Sequence, residues 1–335
     1  MKIERNYNSV DFAKMVFAIF VVAIHTNLAS NLPEPFDWYL MQIVFRLAVP
    51  FFITVSAFML GLGIRNKGVA ASLKKYRKKL LPVYIFWGGI GTALHFAKLL
   101  ISNHNIGDSL IRTIQTIIFY PSGSMWFLYA LLIGSFILEI AVKYFKSGVA
   151  WIVAIALYVI ALLGNSYYFV SSEIGFQGIM DRYLDLCISP RNGLFLFLFI
   201  WVGYSMADEK VIEYAQNKRL CILGLCISML ILIFESWFTY GKQGADDSSL
   251  YLSTPFAVAM IMMVLIGNEM TKHMNYREMR RYSSDVYYTH PFFNTVINYM
   301  LPGMTAIRFV IVLALSTTTY FIFRRSENRF IRMIL

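Results

Sequence analysis

The chain has 335 residues, of which 58% are hydrophobic and only 15% charged, and its 30 Lys and Arg against 19 Asp and Glu leave a net charge of +11. A water-soluble domain of this size carries about 25% charged and about 45–50% apolar residues, so the surplus apolar surface must face lipid and a soluble enzyme is excluded. The basic residues stand in short clusters between apolar runs rather than in a basic domain interleaved with aromatics, which excludes a nucleic-acid partner.

A membrane-crossing helix needs roughly 20 predominantly apolar residues. The first such run, near 12–29, follows Lys2 and Arg5 and ends at Leu28-Ala29-Ser30 in the manner of a secretory signal. A discarded leader has no use for Asp11, Lys14 and His25, so the run is read as a retained span. The second, near 38–62, carries Gln42 and Arg46 one turn apart and then Pro50 and Ser56, which predicts a kinked helix with a polar side. The third, near 81–101, follows the run Lys74-Lys75-Tyr76-Arg77-Lys78-Lys79. Further runs lie near 125–144, 149–164, 191–207, 219–239, 254–271, 284–301 and 305–323. Together they leave room for loops alone. The expected fold is an all-α membrane protein, residues 1–335 forming one domain of about ten transmembrane helices in a single bundle, with no separate soluble domain. No internal repeat or inverted duplication is visible.

Lys and Arg in short loops stay on the cytoplasmic side. The start (Lys2, Arg5), the second connection (Arg65 to Lys79), the fourth (Lys143, Lys146), the eighth (Lys272, Arg277, Arg280, Arg281) and the tail (Arg324, Arg325, Arg329, Arg332) are basic. The alternate connections carry Glu34 and Asp37, then Glu173, Asp181 and Asp185, then Asp246 and Asp247. In the sixth, Lys210, Lys218 and Arg219 are balanced by Asp208, Glu209 and Glu213. The pattern predicts both termini in the cytoplasm and a multi-pass protein of the inner (plasma) membrane. Cys187, Cys221 and Cys226 form neither a disulfide framework nor the paired spacing of a zinc site, so no metal is expected.

Ionisable residues inside spans mark functional sites by default. Here they are Lys14, His25, Arg46, Glu139, Glu235 and His290, with His95 and Asp285 at the margins. Eleven residues separate Lys14 from His25, about 20° past three full turns and about 16 Å along the axis, so the two share a face with Asp11 close to it. In the ninth run Ser283, Tyr287, His290, Asn294 and Asn298 form a polar stripe at helical spacing, and a polar stripe in lipid must look inward. Pro291 deprives the carbonyl of Tyr287 of its usual donor, which predicts a kink beside a cavity. Arg46 reaches either Glu235 or the outer headgroups, and Glu139 pairs with Lys143. Trp38, Trp126 and the tyrosines suit interfacial anchors. The basic run 74–79 is either a topology signal that binds anionic lipid or a phosphate site. There is no Walker A, H-E-x-x-H or G-x-S-x-G sequence, which argues against ATP-driven pumping and against zinc or serine hydrolysis.

These residues resemble the integral membrane acyltransferase-3 family. Val10-Asp11-Phe12-Ala13-Lys14 with His25 resembles its first-helix signature, Pro50 to Ser56 its second-helix segment, Ser124-Met125-Trp126-Phe127-Leu128 its Trp-Phe-Leu segment, and Ser283 to Pro291 its ninth-helix segment. Pro190-Arg191-Asn192-Gly193-Leu194-Phe195 with Gly203 is similar to the subset that includes sugar O-acetyltransferases and the membrane domain of vancomycin-resistance serine/alanine racemases, whose cytoplasmic racemase domain is not expected here. Ala57 stands where the family usually has Gly, and a Lys-rich run stands for its Arg-x-x-Arg, with Arg77 out of register.

The resemblance implies transfer of an acyl group, commonly acetyl, from cytoplasmic acyl-CoA to an outer hydroxyl or amine. No permanently bound cofactor is implied, and acetyl-CoA is the co-substrate. His25, His290 and Tyr287 become the catalytic candidates. Lys14, Lys74, Lys75, Arg77, Lys78, Lys79, Arg280 and Arg281 are candidates for holding acyl-CoA. Asp11, Arg46, Ser56, Trp126, Ser283 and Asn294 complete the expected site. The acceptor is left open among a cell-envelope sugar, a lipid-linked glycan and an amino acid, as is the choice between monomer and oligomer. A proton-coupled transporter or flippase is the alternative, using the same inward ionisable residues as a relay.

Overall fold

Backbone in lipid must satisfy every N–H and C=O internally, which only helices and closed barrels achieve. The computed structural model describes residues 6–103, 105–119, 126–185, 193–242, 250–268, 270, 274–328, 331 and 334, and every regular element among them is helical. Lys2, Arg5, Ser124, Met125, Cys187, Pro190, Arg191, Asn192, Asp246, Asp247, Lys272, Arg329, Arg332 and the side chain of Asp185 lie outside the described residues.

In chain order come α1 (Asn8–His25) and α2 (Phe36–Trp38), which runs through a π-helical turn (Tyr39–Val44) and a 3-10 turn (Phe45–Leu47) into α3 (Ala48–Lys67). Then follow α4 (Val69–Asn103), α5 (Ile106–Phe119), α6 (Trp126–Tyr144), α7 (Ser147–Leu163), the short α8 (Tyr168–Glu173) and α9 (Gln177–Asp185), α10 (Phe197–Met206) and α11 (Glu209–Tyr214). The last four are α12 (Lys218–Thr239), α13 (Thr254–Ile266), α14 (Tyr276–Met300) and α15 (Thr305–Phe323). Each of the ten expected apolar runs falls on one of these helices. Six stretches, 8–25, 36–67, 69–102, 126–144, 218–239 and 305–323, are long and apolar enough to cross a membrane, and α7, α10 and α13 are shorter apolar helices. Rows of exposed aliphatic and aromatic residues on α7 (Ile152, Ile155, Val159) and α12 (Leu223, Leu230, Phe234, Trp237) face outward, where only hydrocarbon accepts them.

Three local features differ from the expected pattern. Regular winding resumes before Pro50, so the irregularity occupies 39–47 instead; Pro50 cannot donate to the carbonyl of Arg46, and the loss is absorbed on its N-terminal side. The basic run 74–79 lies inside α4, whose 35 residues reach about 52 Å, more than a hydrocarbon core of about 30 Å requires. Gly68, with φ of 83°, takes the left-handed conformation that lets α3 stop and α4 start within one residue.

α10 is buried on nearly every side, from Phe197 to Val202, and packs most closely on α3. Small residues at four-residue spacing on both helices, Ala57 and Gly61 facing Gly203 and Ala207, let the backbones meet. A Cβ on Gly203 would stand 2.2 Å from the Thr54 carbonyl oxygen and 2.9 Å from the Cβ of Ala57, and one on Gly61 would stand 2.8 Å from the Cβ of Ala207. The alanine at 57 is therefore accommodated by the glycine opposite it. Gly203→Val is expected to lower the thermal stability of the detergent-solubilised protein by the equivalent of about 1–3 kcal/mol. Gly148→Ala, where nothing lies within 4 Å, should not; equal effects in a melting experiment would refute this account of the α3–α10 contact.

Candidate active site

α1 ends at His25, four residues before its apolar run does. Asn27, with φ of 52°, turns the chain out of the helix. The N–H groups of Asn27 and Leu28 return to the carbonyls of Ile24 (3.1 Å) and Ala23 (3.0 Å), a Schellman ending. The carbonyls of His25 and Thr26 are then the last acceptors of α1. Asn294 on α14 donates its amide to the His25 carbonyl at 2.9 Å. Arg308, in the first turns of α15, donates to the Thr26 carbonyl at 2.5 Å and also to the amide oxygen of Asn298. The polar stripe of α14 thus looks inward and closes the end of α1.

That closure brings two histidines together. His290 is fully buried, and its ring lies 5.0 Å from that of His25, centroid to centroid. His290 Nδ1–H donates to the Val286 carbonyl at 3.0 Å, and the Tyr287 carbonyl, which Pro291 cannot serve, lies beside the same ring. His25 Nδ1–H donates to the Val21 carbonyl at 2.8 Å and stands 3.4 Å from His290 Nε2. A carbonyl can only accept, so both rings carry a hydrogen on Nδ1, and when neutral the basic nitrogen of His25 is Nε2.

Beside His25 is a cavity of about 60 Å³, lined by Ile24, Arg46, Val49, Pro50, Ile53, Trp126, Leu196 and Leu250. Arg46 and Trp126 thus line the same cavity as His25. Glu235, a candidate partner of Arg46 by charge, gathers donors of its own. Its carboxylate accepts from the Tyr167 hydroxyl (2.7 Å), the N–H groups of Leu252 (2.5 Å) and Ser253 (2.8 Å), and the Ser253 hydroxyl. With these four donors it pins the segment that brings Leu250 to the cavity. Tyr287 packs edge-on against His290 (5.8 Å) within an aromatic cluster that includes Phe127 (5.1 Å) and Phe52 (5.9 Å). Ser56 is half-buried on α3, one turn beyond Ile53, and Ser283 donates to the Arg280 carbonyl of its own helix at 2.8 Å.

The expected acyl-CoA residues form a second group, at the opposite end of α1. Lys14 bonds Asp11 at 3.4 Å, Arg280 stands 3.7 Å from the same carboxylate, and Lys79 lies within electrostatic range of Lys14. An open cleft of about 800 Å³ is lined there by Tyr7, Asp11, Asn275, Tyr276, Arg277 and Arg280 among others. Lys74, Lys75 and Lys78 are exposed on α4, and Arg281 pairs with Glu278 at 3.1 Å. Arg77 departs from expectation. It turns onto α6, bonding the Ser135 hydroxyl (2.9 Å), the Ser135 carbonyl (2.8 Å) and Glu139 (2.7 Å), with the Phe136 ring 3.8 Å from its guanidinium carbon. Glu139 also takes Lys143 at 2.5 Å, as the spacing suggests.

Two aromatics read as interfacial anchors, Trp38 and Tyr168, are engaged within the protein. Trp38 donates to Ser236 at 2.9 Å, and Tyr168 donates to Asp181, a bond that raises its phenol above the usual range. Arg308 escapes sequence reasoning altogether; the signal that exposes it is a cation in the first turns of a span, facing the polar stripe of its neighbour.

The acyltransferase domain family matches residues 7–325. An amino-acid racemase of Enterococcus faecalis is 24% identical over 314 residues, covering 87% of this chain and 41% of that protein. A serine/alanine racemase of Enterococcus gallinarum is 24% identical over 330 residues, covering 90% and 45%. The chain therefore spans less than half the length of these relatives. No solved structure matches it. With the family's domain running through all the helices from α1 to α15, the chain is a multi-pass membrane protein that belongs to the acyltransferase-3 family.

Proposed function

We propose that the protein is a transmembrane acyltransferase of the plasma membrane that moves an acetyl group from cytoplasmic acyl-CoA to a hydroxyl or amine of an extracytoplasmic acceptor. The observation that carries this reading is the pairing of half-buried His25 with fully buried His290 beside a small cavity, held at the far end of α1 from a basic cleft. In this reading the helices cross the membrane ten times with both termini in the cytoplasm, following the positive-inside pattern. The nucleotide of acyl-CoA lies against Lys14, Lys79, Arg277 and Arg280, and its pantetheine arm extends towards His25. Fourteen residues of α1 separate Asp11 from His25, about 21 Å of helix.

His25 Nε2 removes the proton of the acceptor hydroxyl as the oxygen attacks the thioester carbonyl carbon. The C–S bond breaks, and the coenzyme A thiolate takes the proton back from the imidazolium. During transfer the imidazolium keeps its Nδ1–H between the Val21 carbonyl and His290 Nε2, so His290 orients the base and disperses its charge. Tyr287 holds the His290 ring from the side. Acceptor candidates are a cell-envelope sugar, a lipid-linked glycan and an amino acid; the names of the racemase relatives make serine a necessary member of the test panel. A proton-coupled transporter would use the same histidine pair as a relay, but it has no need of coenzyme A.

In liposomes with labelled acetyl-CoA and a panel of hydroxyl acceptors, labelled product or slow coenzyme A release is expected, and His25→Ala should reduce it about a hundred- to ten-thousandfold. Folded protein that neither binds coenzyme A nor turns over would refute the acyltransferase and favour the transporter. The rate of the chemical step should fall as pH is lowered and His25 becomes imidazolium, which has no lone pair to accept a proton; a flat profile between about pH 5 and pH 8 would remove His25 as the base. Charge reversal at Lys79 and Arg280 should raise the KM for acetyl-CoA and leave that for the acceptor. Arg77→Ala should instead lower the melting temperature by the equivalent of about 1–3 kcal/mol, through the lost bonds to Glu139 and Ser135, with the acetyl-CoA KM unchanged.

A further inference from the structure

Arg308 is 5% exposed, lies inside a span and belongs to neither group of expected site residues. Among the described residues no carboxylate pairs with it. Its bonds go to two neutral acceptors, the Thr26 carbonyl and the Asn298 amide, and its Nε has no partner. Removing a guanidinium from water without a counter-ion costs several kcal/mol. Packing alone gives no reason to hold one here, since a neutral side chain could serve a single carbonyl. What offsets part of the cost is the negative end of the α1 dipole, concentrated on the last carbonyls.

We infer that Arg308 is a positioning residue for His25: it clamps the end of α1 so that the His25 ring keeps its Nδ1–H tautomer against Val21 and His290. The chain of contact is short. Thr26 follows His25 directly, Asn294 holds the His25 carbonyl itself, and Asn298 ties Arg308 to the same face of α14 that presents His290. If Arg308 lets go, the last turn of α1 frays around Asn27, and the Nδ1 to Nε2 approach of the two rings is lost. Charged and titratable groups reach His25 from three directions: His290 on α14, Arg46 across the cavity and Arg308 from α15. α6 and α10 present Trp126 and Leu196 there. This role rests on the proposed acyl transfer for its kinetic consequence but not for its structural one.

Two measurements test it. In turnover with acetyl-CoA, Arg308→Gln should lose about a hundredfold in kcat, the scale of a 1 Å misplacement, with the KM for acetyl-CoA within about twofold, because the basic cleft is untouched. Arg308→Lys, which keeps the charge and one donor to Thr26, should recover part of kcat. Nitrogen-15 histidine NMR of the detergent-solubilised protein should show the His25 ring as a single Nδ1–H tautomer in the wild type and as a tautomer mixture in Arg308→Gln. An unchanged His25 spectrum in Arg308→Gln overturns the inference whether or not the protein turns over acetyl-CoA. Equal loss of folded protein in the Gln and Lys variants, with kcat per folded molecule unchanged, overturns it too. Failure of the wild type to transfer acetyl counts against the proposed function and leaves the NMR outcome to decide the clamp.

Discussion

The structure depends on how one helix ends. α1 closes on a fully buried Thr26, and a helix terminus leaves carbonyls that nothing within the helix can serve. Asn27 bends the chain back and disposes of the earlier ones. The final two draw donors from other helices, and those donors are Asn294 and Arg308. A backbone requirement that any helix end would impose thus fixes α14 and α15 against α1, and with them the facing histidines. The histidine pair is a by-product of satisfying polar backbone in a medium that cannot.

Much of this was legible in the sequence. The apolar runs coincide with the helices, because length and hydrophobicity act on each segment independently of its neighbours. The stripe from Tyr287 to Asn298 was legible because period and polarity together force an inward face. What sequence could not supply is pairing. The run 74–79 reads as five equivalent cations, yet Arg77 alone meets a carboxylate and a serine on α6; only the placement of α4 beside α6 distinguishes it. Four donors reach Glu235 from Tyr167 and the 252–253 turn, and none is legible in the sequence, because no local pattern announces a turn as a ligand. The end of α1 was missed by four residues because Leu28 and Ala29 prolong the apolar run after the helix has closed.

The small-residue contact between α3 and α10 shows the same division of labour at the level of packing. Hydrophobicity brings helices into the membrane but does not tell them how close to stand, since lipid is as apolar as leucine. Gly203 and Gly61 set that distance for α3, and α3 carries Val49, Pro50 and Ile53 to the cavity. A substitution at 57 within the family's pattern is absorbed opposite, at 203, without disturbing those walls.

The cavity beside His25 has walls from α1, the turns before α3, α3 itself, α6, the start of α10 and the segment pinned by Glu235. The two histidines, by contrast, sit on α1 and α14 alone. Apart from α1, the cavity walls and the histidine pair belong to different parts of the chain. Leu196 and Leu250 can change in size without touching any bond that holds His25 to His290, so the shape of the cavity and the geometry of the histidine pair are separable in evolution: one architecture can reshape the space while the pair stays as it is.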